Sequence, residues 1–202
     1  MKILRVSCSN RGQASESFRL SQAIVEGLLG GEPHASLIER NLGGMPIAHI
    51  DTGYAVALAS ATEEYEGVVA GTLEVSEALI RELEESDCLI IATPLHNYTV
   101  PSVLKAWIDH IVRVRRTFRS TQTGKVGVLR DRPVYVAVSS GGRFSGEAAG
   151  QPDFLTPYLR AILETIGLRS THFFTVEGTA FGPDALAEAR RAAQHALAGY
   201  FA

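Results

Sequence analysis

Short apolar runs alternate along this chain with longer stretches whose apolar residues recur at helical spacing, and that alternation constrains the fold more than any other feature. Ile3-Leu4-Arg5-Val6, Ala35 to Glu39, Cys88-Leu89-Ile90-Ile91-Ala92, Pro133 to Val138 and Thr171 to Val176 read as strands. Between and after them lie helical stripes. The first holds Leu20, Ile24 and Leu28, with Phe18, Val25 and Leu29 beside them, and stops at Gly30-Gly31. A second runs to Glu85 through Val69, Leu73, Leu79, Ile80 and Leu83. A third opens at Pro101 and carries Leu104, Trp107, Ile108, Ile111 and Val112. A fourth holds Leu155, Leu159, Ile162, Leu163 and Ile166 and closes at Gly167; the last follows Pro183 with Leu186, Ala193, Leu197 and Tyr200. Five strands alternating with five helices predict an α/β fold with a parallel sheet and right-handed crossovers. Cys88 to Ala92 is apolar throughout, as suits a strand covered on both faces, whereas Ala35 to Glu39 is more polar, as suits an edge. No repeat or linker interrupts the pattern, so residues 1–202 read as one doubly wound domain. Its expected strand order is 2-1-3-4-5, with helices on both faces.

Two segments fall outside this rhythm. Asn41 to about Ala61, with Gly43-Gly44, Pro46 and Gly53, reads as loop with little regular structure. Residues 117–132 read as an excursion, a hairpin turning at Thr123-Gly124. The basic cluster Arg113, Arg115, Arg116 and Arg119 reads as a solvated helix end, where cations complement the dipole. A net charge of −3 argues against a nucleic-acid surface. The two cysteines, Cys8 and Cys88, lie in or beside apolar runs and are expected to be free core thiols. Met1-Lys2 leads directly into a strand without the apolar stretch of a signal peptide, and no run approaches the ~20 apolar residues of a membrane span. The cytoplasm is the expected location. The six histidines share no metal-ligand spacing on one element, and no Gly-x-Ser-x-Gly elbow is present.

In a doubly wound sheet, ligands bind outside the carboxyl ends of the strands at the switch point, here between the first and third. Three loops therefore matter. Ser7 to Ser17 joins a strand to a helix start and is dense in hydroxyls. Backbone N–H groups there favour an anion, and Ser9, Ser15 and Ser17 offer hydroxyls to it; taken alone, Ser15 is better read as an N-cap. The loop has neither the glycine spacing of a dinucleotide fingerprint nor a P-loop lysine. Thr93 to Pro101 is bounded by two prolines and offers backbone N–H groups, an amide and two rings to a flat ligand. Ser139-Ser140-Gly141-Gly142 lets backbone approach closely. Each of these two is an ordinary turn if taken alone. Together the three surround one ligand with a phosphate end and a planar polar end.

In combination the residues resemble a family. Ser9 with Ser15-Glu16-Ser17, Pro94-Leu95-His96-Asn97-Tyr98, Lys105, Thr117-Phe118-Arg119 before Gly124, and Ser139-Ser140-Gly141-Gly142 are similar to FMN-dependent NADH:quinone oxidoreductases, also called azoreductases. Thr156-Pro157-Tyr158-Leu159, Ile166-Gly167 and Glu177 to Pro183 extend the likeness to near the end of the chain. The resemblance implies a flavodoxin-like fold, non-covalent FMN and a homodimer with each flavin near the subunit interface. It implies phosphate contacts at Ser9 and Ser15 to Ser17, ring and ribityl contacts at Leu95 to Tyr98 and Ser139 to Gly142, and Phe118 in the substrate pocket. NADH or NADPH is the implied donor, a quinone or azo compound the acceptor, and turnover is expected to be ping-pong. Two departures bear on acceptor choice. The family's second loop usually reads Met-Tyr-Asn-Phe, and it often has arginine or another long polar residue where Ser140 stands.

His96, where the family commonly has tyrosine, has two readings: a modulator of the acceptor step that is not required for hydride transfer, since an imidazole differs from a phenol in titrating near neutral pH, or a residue that points to solvent. The competing function is an electron carrier without turnover of its own, which would gain from a strongly acidic docking face that a charge of −3 does not supply. A protein-binding module without FMN would leave all three loops unexplained.

Overall fold

The computed structural model describes residues 1–31, 34–59 and 71–201. In chain order they form β1 (Lys2–Ser7), α1 (Glu16–Gly31), β2 (Ser36–Asn41), α2 (Thr52–Ala59), α3 (Glu74–Glu85), β3 (Cys88–Pro94), α4 (Ser102–Ile111), β4 (Phe118–Thr121), β5 (Gly124–Gly127), β6 (Val134–Ser139), α5 (Leu155–Ile166), β7 (Thr171–Val176) and α6 (Pro183–Phe201). A single 3₁₀ turn, Gly12–Ala14, precedes α1. The five long strands pair in parallel in the order β2-β1-β3-β6-β7, the expected 2-1-3-4-5. The polar β2 is indeed an edge.

Period-2 alternation sorts the strand side chains between two layers. Leu4 and Val6 of β1, Leu89 and Ile91 of β3, and Val134, Val136 and Val138 of β6 pack with α3, α4 and α5 through Leu79, Leu83, Leu104, Trp107, Leu159 and Leu163. Ile3, Ile90, Tyr135 and Ala137 point the other way, onto Leu20, Ile24 and Val25 of α1 and Ala193 and Leu197 of α6. Cys8 packs in the first layer and Cys88 in the second, so the sheet separates the two free thiols. A charge also lies on this central sheet. Arg5 of β1 is buried, and its guanidinium meets the carboxylate of Glu39, its register partner on β2. It also donates to Gln22 Oε1 on α1 at 2.8 Å and lies over the Phe18 ring. A buried cation persists only with such a full set of partners.

Three expectations need correction. Part of the segment read as loop is helical: α2 starts after Asp51, whose Oδ1 accepts the Tyr54 N–H at 2.8 Å as an N-cap. Its eight residues bury Tyr54 and Ala57 but show no polar face alternating with an apolar one, so periodicity could not reveal it. The hairpin of β4 and β5 turns at Gln122 and Thr123, one residue earlier than expected, with Thr121 opposite Gly124. The Thr121 hydroxyl closes that turn, accepting the Thr123 N–H and donating to the Gly124 carbonyl. Of the four arginines read as a solvated helix end, Arg115 and Arg119 are exposed, but Arg113 and Arg116 are not free in solvent. Arg113 is buried and ion-paired with Glu77, and Arg116 pairs with Glu77 and Glu84, so α4's exit is tied to α3. The expected α3-stripe position Val69 lies outside the described residues, and Leu73 precedes the helix as its N-cap.

The hairpin is seated rather than free. The Leu129 N–H donates to the Ile166 carbonyl at 3.0 Å. Gly167, the left-handed C-cap of α5 at φ 107°, lies so close that a Cβ on it would be 2.5 Å from the Leu129 carbonyl oxygen.

The Glu84 carboxyl is held below its usual value of 4.5, first by its bonds to Arg116, with partial burial opposing. A depressed carboxylate pKa contributes stability that is complete above the ordinary value and lost as pH falls through the lower, folded value. Glu84→Gln should therefore flatten the fall of the urea midpoint between about pH 6 and about pH 3, while costing at most about 1 kcal/mol at neutral pH, because the pair is partly exposed. Parallel acid limbs in the two proteins would contradict this.

Candidate active site

The carboxyl ends of β1, β3 and β6 open into a cleft of about 220 Å³. It is lined by Ser9, Asn10, Arg11, Ser15, Glu16, Pro94, Leu95, His96, Ser139, Ser140, Gly141 and Thr179. Eight residues named from sequence thus meet at one place: Ser9, Ser15, Glu16, Leu95, His96, Ser139, Ser140 and Gly141.

The first loop leaves β1 at Ser7. The Ser7 carbonyl accepts the N–H groups of Leu42, at 2.8 Å, and Gly43, at 3.2 Å, which ties the end of β2 beneath the loop. Gly43 passes so close that a Cβ there would be 2.1 Å from the Ser9 carbonyl oxygen. Ser15 is indeed the N-cap of α1: its Oγ accepts the Phe18 N–H at 3.2 Å and donates to the Gly12 carbonyl at 2.8 Å. The cap leaves the N–H groups of Glu16 and Ser17 without an acceptor among the described residues, at the positive end of a 16-residue helix. The Ser17 hydroxyl is fully buried, 3.4 Å from Ser15 Oγ, behind the lining. At the foot of the loop, the buried Ser7 Oγ has no hydrogen-bond partner among the described residues. The Glu16 carboxylate turns away to Arg190 on α6 at 2.7 and 2.8 Å, which holds its carboxyl below the usual range. Burial pushes the Cys8 thiol pKa strongly upward, so a thiol within this loop stays neutral.

The second loop is a tight turn. His96 and Thr99 exchange both backbone hydrogen bonds at 2.9 Å, and between them Asn97 and Tyr98 both have positive φ, 47° and 70°, as a type I′ turn requires. A tyrosine at positive φ is uncommon. Its carbonyl is held by the Phe154 N–H at 3.0 Å. The turn places His96 on the cleft wall, where it is also exposed to solvent, and leaves Asn97 and Tyr98 exposed at the tip, beyond the lining.

The third loop is zipped to the segment after β7. The carbonyls of Ser140, Gly141 and Gly142 accept the N–H groups of Thr179, Ala180 and Gly178. Ser140 is buried, and its hydroxyl accepts from Gln151 Nε2 at 2.8 Å. Gly142 sits against Gln151 rather than on the cleft. The Glu177 carboxylate orders residues 144 and 145 by accepting both N–H groups and the Ser145 hydroxyl. Phe118 is not brought to this cleft within one chain; it is buried at the base of the hairpin, beneath Lys125 Nζ. Sequence reasoning missed Asn10, Arg11, Pro94 and Thr179 as lining residues. The first two stand in the serine-rich loop itself, Pro94 ends β3, and Thr179 belongs to the distinctive run from Glu177 to Pro183.

Helix donors, hydroxyls and a stiff turn on one cleft fit a ligand with an anionic end and a flat end. No group of three or more His, Cys, Asp or Glu among the described residues could hold a metal ion. A family model described as flavodoxin-like fold matches residues 1–200. The chain is 48% identical over 195 residues to FMN-dependent NADH:quinone oxidoreductase 4 of Pseudomonas fluorescens, covering 96% of this chain and 93% of that one. The chain belongs to the FMN-dependent NADH:quinone oxidoreductase family. A second member, from Burkholderia lata, is 43% identical over 88% of this chain and 85% of its own. The fold is shared with a crystal structure of an FMN-dependent NADH-azoreductase from Bacillus anthracis in complex with FMN, at TM-score 0.78 and 23% identity, covering 100% of this chain and 99% of that one.

Gly43 tests the build of the first loop. Gly43→Ala should displace the Ser9 backbone and weaken binding of FMN to the apoprotein about tenfold or more, an effect of over 1 kcal/mol read by flavin fluorescence. Unchanged affinity would mean that the loop shape does not depend on this close approach.

Proposed function

We propose that this chain is an FMN-dependent oxidoreductase that uses NADH or NADPH to reduce quinones and azo compounds, as one domain, in a cytoplasmic homodimer. The observation that carries the reading is the cleft itself, which joins an open helix N-terminus to a stiff-walled slot in a chain nearly half identical to a named quinone oxidoreductase. When bound, FMN supplies the two-electron chemistry.

The residues divide the rest of the work. The Glu16 and Ser17 N–H groups, with the hydroxyl of Ser9, would hold the phosphate. Ser15, read from the sequence as a phosphate contact, has its one hydroxyl proton on the Gly12 carbonyl and instead caps the helix that presents those N–H groups, with the Ser17 hydroxyl behind it. Leu95 and His96 of the second loop on one side and Ser139 to Gly141 of the third on the other border the ring system and the ribityl chain. Backbone hydrogen bonds to Thr99, Phe154 and the 178–180 segment keep that slot from relaxing. His96, on the wall, presents an imidazole beside the entering acceptor, placed to pass a proton to it. Donor and acceptor use the same opening and so occupy it in turn. The apolar side chains of Met45, Ile50, Val56, Val126 and Val128 are exposed on the 41–59 segment and the hairpin, and covering them supports the dimer.

The purified protein should be yellow, and NADH should bleach it. A yellow protein that NADH leaves unchanged would instead be an electron carrier, and a colourless one that takes up no FMN would end the reading. Initial-rate plots should be parallel; intersecting lines would mean that both substrates bind together. In sedimentation the species should have about twice the 21.7 kDa mass of the chain.

His96→Tyr should leave reduction by NADH intact and remove the pH dependence of the acceptor step over the range in which an imidazole changes charge. Identical pH profiles in the two proteins would exclude His96 from that step.

A further inference from the structure

Glu16 poses an electrostatic problem. It is the only carboxylate among the residues lining the cleft, and it is the first residue of α1, whose opening N–H groups are the proposed phosphate donors. A carboxylate beside a phosphate repels it, and in a partly desolvated site that repulsion is poorly screened. Yet its side chain is only 13% exposed. Solvent reaches it only in part, so charges within the chain neutralise and aim it, Arg190 first, with Arg19 and the cleft residue Arg11 acting more weakly.

Arg190 does most of this. It comes from α6, 174 residues further along the chain, and its Nε and Nη2 bind the two Glu16 carboxylate oxygens at 2.8 and 2.7 Å. Such a planar fork fixes direction as well as charge. Arg19, one turn along α1, adds a weaker contact at 3.3 Å. Glu16 thereby lines two spaces: its start faces the cleft, while its carboxylate lines the groove between α1 and α6 with Arg19 and Arg190.

Building on the phosphate placement above, we propose that Arg190 is a positioning residue for the cofactor: it draws the Glu16 carboxylate out of the phosphate site and so leaves the positive end of α1 free to bind an anion. Arg190 touches neither cofactor nor substrate and acts only through Glu16. A purely structural role would cost stability and would not care whether the flavin carries a phosphate.

The test is titration of the apoprotein with FMN and with riboflavin, which lacks the phosphate, followed by flavin fluorescence. Arg190→Ala should weaken FMN binding about tenfold or more, the scale of one poorly screened like-charge contact, and leave riboflavin binding unchanged. Glu16→Gln alone should bind FMN at least as well as the parent. The double variant Glu16→Gln/Arg190→Ala should regain parental FMN affinity, because no charge remains to be drawn away. Arg190→Lys should fall between, since a lysine cannot form the fork. The proposal is overturned by parental affinity in Arg190→Ala, by a double variant as weak as that single one, or by equal losses for FMN and riboflavin. Should Arg190→Ala not fold, a Glu16→Gln protein that binds FMN more weakly than the parent would overturn it alone. A parent chain that binds no FMN would instead refute the phosphate placement on which the proposal rests.

Discussion

The carboxyl edge of the sheet depends on how β1 ends. One carbonyl, that of Ser7, accepts from both Leu42 and Gly43, so the chain leaving β2 is pinned beneath the chain leaving β1. The absence of a side chain at Gly43 lets the two backbones lie in contact there. This fixes the direction in which the first loop departs, which in turn fixes where the 3₁₀ turn and the Ser15 cap place the start of α1. Because β1 is flanked by β2 on one side and β3 on the other, its loop and that of β3 diverge and leave a space between them. The cleft is thus a consequence of strand order, and its chemistry is a consequence of which few residues follow each strand.

Most of the fold was legible because burial imposes periodicity. β3 and β6 are covered on both faces and read as continuous apolar runs; α1, α3, α4 and α5 each show one face to the sheet and read as stripes. Where that logic lapses, so does legibility. The α2 sequence Thr-Gly-Tyr-Ala-Val-Ala-Leu-Ala has no polar side to contrast with its apolar one, and its clearest signal is the Asp51 cap. Arg113 and Arg116 looked like surface charges because their partners, Glu77 and Glu84, lie more than 30 residues away on another helix. No local pattern announces a contact of that range.

The site divides in the same way. Ser9, Ser15, His96 and Ser140 could be named because loops after particular strands must meet at the switch point. Their partners could not be foreseen. That Ser15 caps its helix while facing the cleft, that Ser140 turns its hydroxyl to Gln151, and that Glu16 reaches to α6 are facts of three-dimensional packing. The type I′ turn at Asn97 and Tyr98 was masked by a tyrosine at a position where glycine would have been the usual signal.

The two layers flanking the sheet are unequal. Among the described residues, three helices and the larger cluster of buried side chains lie on the α3–α4–α5 side, whereas α1 and α6 cover the other with a smaller cluster. Local opening favours the side with less buried apolar surface. The helix that presents the proposed phosphate donors therefore belongs to the more weakly anchored layer. An anion held at its N-terminus favours the closed form of that layer by mass action. Cofactor and scaffold are then coupled in both directions: the ligand is a peg for the layer that binds it, and loss of the ligand and loosening of that layer are one event.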